Sequence, residues 1–410
     1  MTHRSPQHMM GIAVVVLVAA VLHGAAARDL RQVSEPKIPA SCVSLKGNGG
    51  DETSAIQKAL NSCAKGRTVH LASGTFVSGP LNIPSGVGLW IDNGVVLKAS
   101  TNAKLYNKED KICGTVDTRY HGCKTFITMK NAVGSGIYGK GTIDGQGGVK
   151  LVGQTESWWD LAHRAQVENK NQNCPYIIQI TNSREMTLYQ ITIKNAPNYH
   201  VVVEDTNGFT AWGVTIDTPT TARNTDGIDP SGSQNITIAH CSISCGDDNV
   251  AIKAGYGATR HISVTNTHFG TGHGMSIGGE TNSGVSDLTV DSVVFKRTLF
   301  GLHIKSDHTE GGLVSGVSYS NVCMRNVEYP ILLDTHYFKT ASGNLLPEYR
   351  DITFNNIDAM TPGKFIFDGY SDAKPIVATL RNVRITKGSS WTVSHAKISG
   401  KYTEGAIGKC

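Results

Sequence analysis

Four short motifs within residues 224–305 carry most of the chemically versatile side chains of this sequence. They are, in chain order, Asn224-Thr225-Asp226, Gly246-Asp247-Asp248, Gly272-His273-Gly274 and His303-Ile304-Lys305. Together they bring carboxylates, an imidazole and a cation into one short stretch, which suits acid–base cleavage of a glycosidic bond. Carboxylates this close cannot all remain ionised cheaply, so at least one pKa should rise, as a general acid requires.

The spacing of these motifs indicates a repeat that brings them together. Each motif is accompanied by a short run with apolar residues at alternate positions, such as Asn249-Val250-Ala251-Ile252. Asp226 and Asp248 lie 22 residues apart, and His273 follows 25 residues later. If each interval is one turn of a solenoid, the three side chains stand on adjacent coils about 4.8 Å apart.

The alternation also predicts which neighbouring side chains point away from the core. The inward set is Val250, Ile252, Met275, Ile277, Leu302 and Ile304. The outward set is Ala251, Lys253, Ser276, Gly278, His303 and Lys305. We therefore expect His303 and Lys305 on the solvent face beside the carboxylates, in a groove that is acidic at its centre and basic at one side.

The same period runs through the chain from about residue 88. Short apolar-alternating triplets recur, beginning at Met186, Phe209, Ile236, Ile262, Leu288, Val317 and Ile352. A strand-based period of about 20 to 30 residues predicts an all-β fold, a parallel β-helix. Asn266, Asn321 and Asn356 follow their strands, where left-handed corners are expected. A β-propeller, which needs longer repeats, and a two-sheet sandwich are the competing folds.

The two ends of the chain differ from this repeat. Residues 1–27 have the features of a secretory signal peptide, with an apolar core over 11–22 and a small-residue cleavage site, and they predict an extracellular protein. Residues 28–87 form a predicted cap segment, in which Glu52–Cys63 has helical spacing and should cover the open end of the solenoid. Residues 88–386 form the predicted catalytic β-helix, and residues 387–410 a polar, irregular tail.

The nine cysteines suggest disulfides in a secreted protein. Cys42–Cys63 and Cys113–Cys123 are the plausible local pairs. Cys241 and Cys245 either pair or stay buried, while Cys174, Cys323 and Cys410 have no assigned partner. No pair has CxxC spacing, which argues against a zinc site.

Net charge gives weak information about the ligand. The formal charge of +5 favours a polyanionic substrate through long-range attraction. We expect no nucleic-acid or membrane partner and, for a capped solenoid, a monomer.

The four motifs, in this order, resemble those of the polygalacturonase family of glycoside hydrolases, family 28. Gly88-Leu89-Trp90-Ile91-Asp92 and Gly141-Thr142-Ile143-Asp144-Gly145 resemble the same family. The resemblance implies a right-handed, single-stranded parallel β-helix that hydrolyses α-1,4-galacturonosidic bonds of de-esterified pectin with inversion. Polygalacturonate is then the substrate, and plant inhibitor proteins are conceivable partners. Endo action is the expected mode, with exo action left open.

The resemblance also implies roles for individual residues. Asp247 is the general acid, Asp226 and Asp248 activate the water, and His273 supports the acid. The residues that bind substrate are Asn224, His303, Lys305 and Tyr337. No metal or organic cofactor is implied.

His303 departs from the family pattern, which has arginine at this position. A guanidinium is permanently charged and grips a carboxylate in two places, whereas an imidazole carries full charge only below a pKa near 6.5. We expect nearby carboxylates to favour protonated His303 at acidic pH. The alternatives are a weak or inactive homologue that binds pectin, and a hydrolase of a related pectic backbone. A pectate lyase would instead need a calcium cluster.

Overall fold

The computed structural model of the protein describes residues 28–338 and 340–408. The predicted signal peptide, residues 1–27, lies outside the described residues. Among those described, no helix combines the length and apolar composition needed to cross a bilayer.

Most of the strands form two parallel sheets, which we name sheet A and sheet B. The 21 strands of sheet A are Ser41–Lys46, Arg67–Ser73, Thr75–Ser78, Val87–Ile91, Val96–Ala99, Gly136–Tyr138, Thr142–Asp144, Arg184–Tyr189, Thr192–Lys194, Asn207–Trp212, Thr215–Asp217, Gln234–Ala239, Ser242–Ser244, Thr259–Thr265, His268–Phe269, Val285–Lys296, Gly312–Arg325, Pro347–Ala359, Ile376–Ile385, Ala396–Ser399 and Tyr402–Glu404. The 11 strands of sheet B are Leu81–Asn82, Ile127–Lys130, Ile178–Thr181, Val201–Glu204, Ile228–Ser231, Val250–Ile252, Met275–Ile277, Phe300–Lys305, Tyr329–Asp334, Lys364–Asp368 and Ser390–Ser394.

The register of sheet A follows the period of the sequence. The triplet starts pair directly along the stack, in the order Met186, Phe209, Ile236, Ile262, Leu288, Val317 and Ile352. Inward side chains of successive coils therefore lie on one another, and the core is a continuous apolar column along the axis. The predicted parallel β-helix is confirmed.

Asparagines form corners of the coils, as predicted: Asn266 lies between two strands, whereas Asn321 and Asn356 lie within long strands of sheet A. Asn266, Asn321 and Asn356 have φ values of 48°, 52° and 58°. The Asn356 amide also donates to Oδ1 of Asn321 at 2.9 Å, so corners of successive coils are linked by side-chain hydrogen bonds. Asparagine suits these positions because it tolerates the left-handed conformation and carries both a donor and an acceptor.

The N-terminal cap is a helix, as predicted. Helix α1, Thr53–Ser62, buries Ile56 and Leu60 in the apolar column and packs against the strands of the first coils. The disulfide Cys42–Cys63 ties its end to the first strand of sheet A. Strands on both sides of residue 87 pair in sheet A, so the first coils continue directly into the later ones.

An insertion over residues 145–176 was not foreseen in the sequence. It contains helix α2, Trp158–Val167, whose apolar positions recur at helical spacing and which begins with a capping box between Ser157 and Asp160. Near the end of the insertion, strand Asn171–Gln172 pairs antiparallel with strand Val116–Asp117. The segment that contains Val116–Asp117 also has the second predicted disulfide, Cys113–Cys123, and residues Ala103–Tyr106 form a short 3-10 helix. Ser-x-x-Asp before an apolar run could have revealed α2.

The C-terminal segment is more regular than expected. Instead of an irregular tail, residues after Lys387 form short strands that extend both sheets. Trp391 explains part of the order, because its ring stacks on Phe365 and Tyr402. The polar composition of this segment led to the prediction of an irregular tail, because the final coil needs only a few apolar contacts on one face.

Candidate active site

The predicted ladder stands at the start of three adjacent strands of sheet B. Ile228 pairs with Val250, and Val250 pairs with Met275. The residues two positions before these three therefore occupy equivalent places on successive coils: Asp226, Asp248 and His273. The inward set of the alternation is fully buried in the apolar column, as expected.

Two buried side chains donate to the carboxyl group of Asp248. Its Oδ2 atom lies 2.7 Å from Nζ of Lys305, and its Oδ1 atom accepts a hydrogen bond from Oγ of Ser276 at 2.6 Å. Burial alone would lower the pKa of Lys305, but the charge of Asp248 outweighs it and raises that pKa above the ordinary value. Lys305 is consequently a permanent cation, and Asp248 is its counterion.

Asp247 forms a second pair, with His273. Nδ1 of His273 lies 3.1 Å from Oδ1 of Asp247, and the backbone N–H of His273 donates to the carbonyl of Asp247 at 2.8 Å. Burial opposes charge on both groups, but the contact prevails, so the pKa of Asp247 is lowered and that of His273 is raised. Between those two pKa values the pair holds one proton.

The raised carboxyl pKa expected from the sequence belongs to Asp226, not to Asp247. Burial, followed by the charges of Asp229 and Asp247, raises the pKa of Asp226 well above its ordinary value. Asp226 is 4% exposed, and its Oδ1 atom has no hydrogen-bond partner among the described residues. Asp247 escapes this effect because His273 supplies a compensating charge.

His303 is buried, which corrects the expectation that it lies on the solvent face. Its residue exposure is 1%, and neither ring nitrogen has a hydrogen-bond partner in the described part of the chain. The ring packs 4.4 Å from that of Phe300 and 6.2 Å from that of Tyr337. Burial, reinforced by Lys305, lowers the pKa of His303 to about 3, so it is neutral rather than held protonated.

The alternation gave the direction of His303 but not its depth. Residues that point outward from sheet B can still be covered by side chains from neighbouring coils. Ala251 and Ser276, on the same face, are also fully buried. The alternation of inward and outward positions therefore does not predict how deeply an outward side chain is buried.

Tyr337 and Asn224 lie on opposite sides of the ladder. The ring of Tyr337 is centred 5.0 Å from Nζ of Lys305, so it shares the basic side of the groove with His303. Asn224, with φ of 55°, lines a cavity on the other side. The structure thus gathers the candidate residues around the ladder but divides those expected to bind substrate between its two sides, and His303 is covered rather than open to the groove.

That cavity has a volume of about 520 Å³ and is lined by charged residues to which the sequence analysis gave no role, among them Asp229 and Lys253. Asp229 is 2% exposed, neither of its carboxyl oxygens has a partner among the described residues, and burial raises its pKa well above the ordinary value. Lys253 lies on the next coil and forms an ion pair with Glu280 at 3.3 Å. Both residues have the outward parity, so a search for polar residues beside the ladder would have found them.

Among the described residues, two groups of side chains have the composition of a cation site. Asp247, Asp248 and His273 offer ligand atoms within 4.8 Å of one another, as do Asp334, His336 and Asp368. In the first group, the ammonium of Lys305 already forms an ion pair with Asp248 and would repel a metal cation. Its donors therefore suit proton transfer better than metal binding.

Comparisons with known proteins agree with this geometry. The family model of glycosyl hydrolases family 28 matches residues 63–403. An endo-polygalacturonase of Pectobacterium carotovorum subsp. carotovorum is 52% identical over 377 residues, which cover 91% of this chain and 93% of the relative. A polygalacturonase of Ralstonia nicotianae is 38% identical over 82% of this chain and 72% of the relative. The solved polygalacturonase from Erwinia carotovora ssp. carotovora superposes with a TM-score of 0.88 at 50% identity, over 91% of this chain and all of that one.

Proposed function

Because the chain belongs to glycosyl hydrolases family 28 and is a glycoside hydrolase, we propose that it is an endo-polygalacturonase. Its substrate is de-esterified pectin, and it hydrolyses α-1,4-galacturonosidic bonds with inversion. The observation that carries this proposal is the Asp247–His273 pair beside the Asp248–Lys305 pair in one groove. The names of the relatives supply the substrate, and the pairs supply the chemistry.

The Asp247–His273 pair is the proposed proton donor. The side chains of Asp247 and His273 are 21% and 35% exposed, whereas that of Asp248 is 2% exposed. Asp247, beside the ladder, is therefore the carboxyl group that a glycosidic oxygen in the groove can reach. The proton that the pair shares passes through Asp247 to the leaving oxygen, and His273 restores it from solvent afterwards.

Asp248 and Asp226 are the proposed water-activating carboxylates. Lys305 and Ser276 fix the carboxyl group of Asp248 by an ion pair and a hydrogen bond, so it can orient water on the face opposite the leaving group. Asp226 accepts the proton of that water. Its raised pKa makes it a stronger base than an exposed aspartate, provided that the pH is high enough to ionise it.

Lys305 and Tyr337 are the proposed contacts on the leaving-group side. Lys305 is 7% exposed, and its ammonium group faces the Tyr337 ring at 5.0 Å, which leaves it a short-range contact for a uronate carboxylate. His303 is neutral and covered, so it cannot supply the second cation that an arginine would. Binding on this side should consequently be weaker than in a relative with arginine there.

Release of reducing ends from polygalacturonic acid tests this function. In assays that span pH 4 to 7 we expect hydrolysis where Asp226 is ionised, with viscosity falling faster than reducing ends accumulate because endo cleavage cuts internal bonds. No release across that range would refute the proposal. Release without the early drop in viscosity would refute endo action alone.

A weak pectin-binding homologue is the second candidate, favoured by the neutral, covered His303. In this case polygalacturonate binds but is turned over slowly, and His303→Arg restores the rate. Affinity of the wild-type protein for polygalacturonate, measured beside its turnover, separates the two candidates.

We also propose secretion. It rests on the composition of residues 1–27 alone, with charged residues before an apolar core and an alanine-rich cleavage site. Amino-terminal sequencing of protein collected from culture medium should begin at Arg28. Protein that remains in cells with its first residues intact would contradict this.

A further inference from the structure

The cavity beside Asp226 contains a partly buried cation that the proposed chemistry does not use. Lys253 follows Val250–Ile252, the strand next to the Asp247–Asp248 pair, and it lines the cavity with Arg223 and Asp229. Burial alone would lower the pKa of Lys253, but the neighbouring acidic groups raise it well above the ordinary value. Lys253 is thus a fixed positive charge at the edge of the catalytic cluster.

Lys253 and Lys305 occupy the same column of sheet B. Ile252 pairs with Ile277, and Ile277 pairs with Ile304. The residues that follow these three are Lys253, Gly278 and Lys305. The two lysines therefore start two coils apart, roughly 10 Å, and the glycine between them places no side chain in the groove.

The cavity has features of a ligand site that the ion pair with Glu280 does not explain. The Asp229 carboxyl is buried at its wall, and neither oxygen has a partner among the described residues. In the part of the chain that the structure describes, the Arg223 guanidinium has no carboxylate within 4.0 Å. It donates a long side-chain hydrogen bond to Oε1 of Gln172, at 3.5 Å. These groups would satisfy the hydroxyl and carboxylate groups of a sugar acid.

We infer that this cavity is the uronate-binding part of the groove on the non-leaving side, where Lys253 holds the sugar carboxylate as Lys305 does on the leaving side. The inference rests on the proposed function, because it assumes a chain of uronates across the ladder. The cavity lies towards the N-terminal coils, away from Tyr337, which assigns it to the side opposite the leaving group. Glu280 pairs with the ammonium at 3.3 Å and its side chain is 47% exposed, so a substrate carboxylate can replace it.

The test is binding of trigalacturonate, measured by calorimetry with Asp247→Asn as the common background so that no turnover occurs. Adding Lys253→Met should weaken binding about ten- to a hundredfold, the usual loss for one charge-assisted contact. Lys253→Arg should recover part of it, and Lys296→Met, an exposed lysine of sheet A, should change nothing. The fully methyl-esterified trimer should bind equally to the protein with and without Lys253.

Three results would overturn the inference. The first is a trimer affinity that stays within twofold in Lys253→Met, and the second is a trimer that does not bind even when Lys253 is present. The third is an equal loss of affinity for the acidic and the esterified trimer, which would show that Lys253 only maintains the fold. Hydrolysis by the otherwise wild-type enzyme separates this from the proposed function: Lys253→Met should raise KM and leave kcat within about threefold. An enzyme with no hydrolysis at all but with Lys253-dependent trimer binding would refute the function and leave the site standing.

Discussion

Asp247 and His273 are joined twice, through a side-chain contact of 3.1 Å and a backbone hydrogen bond of 2.8 Å. The backbone bond comes from the register between adjacent coils, so it sets the position of the imidazole before any side chain adjusts. The pair lowers the pKa of Asp247 and raises that of His273 despite burial. A proton donor made in this way works as a pair, which has consequences for both partners.

Replacing Asp247 by asparagine should remove the proton donor and leave binding intact. We expect kcat on polygalacturonate to fall by about 10²- to 10⁴-fold, the usual contribution of general acid catalysis, with little change in KM. Asp287→Asn on sheet A is the matched control, since Asp287 also contacts a histidine but lies far from the groove. A variant that keeps more than a tenth of the wild-type kcat would show that Asp247 is not the acid.

The pH dependence should show both limbs displaced upwards from the ordinary aspartate and histidine values. As pH falls, Asp226 gains its proton at a raised pKa and can no longer accept one from water. As pH rises through the raised pKa of His273, the pair loses its proton and the leaving oxygen is no longer protonated. A profile of kcat/KM against pH measures both limbs.

His273→Asn should lower kcat and move the alkaline limb to lower pH, because Asp247 alone loses its proton sooner. His261→Asn, at a similar histidine–aspartate contact on sheet A, should leave the profile unchanged. An unshifted alkaline limb in His273→Asn would exclude the shared proton.

His303 should be dispensable for stability, whereas His200 should not. Both are buried, but His200 has a partner at each ring nitrogen, at 2.9 and 2.8 Å, and His303 has none in the described chain. His200→Leu should cost about 1–3 kcal/mol through groups left unpaired, and His303→Leu should be neutral or stabilising at pH 7. Denaturant unfolding of the two variants gives the comparison, and an equal loss in both would contradict it.

Lowering the pH should increase the difference in folding stability between the wild type and His303→Leu. In the unfolded chain this group binds a proton below about pH 6.5, but in the folded protein only near a pKa of about 3. The wild type therefore loses stability as pH falls between these values, by about 3 kcal/mol at pH 4. His303→Leu should be spared that loss, and parallel stability curves for the two proteins would refute the buried, neutral imidazole.

Lys305 and Asp248 should be strongly coupled. Lys305→Met leaves a buried carboxylate without its cation, which typically costs about 3–5 kcal/mol. The double variant with Asp248→Asn should recover much of this, because the uncompensated charge is gone. A double-mutant cycle of unfolding free energies tests it, and additive losses would show that the 2.7 Å contact contributes little.

The repeat made the fold and the ladder predictable, but not the state of each side chain. Intervals between Met186 and Ile352 anticipated the register of sheet A, and those between Asp226 and His273 anticipated neighbouring coils. Depth and charge depend on which distant side chains cover a position, so the burial of His303 could not be foreseen. The same applies to Asp226, whose pKa is raised by burial and then by the charges of Asp229 and Asp247.

Product stereochemistry tests the central claim most directly. Proton NMR of trigalacturonate or polygalacturonate during the first turnovers follows the anomer formed at the new reducing end, before mutarotation mixes the two. An inverting site, in which Asp248 and Asp226 activate water opposite Asp247, predicts that the β-anomer appears first. First appearance of the α-anomer would mean retention through a covalent intermediate and would contradict the roles proposed for all three carboxylates.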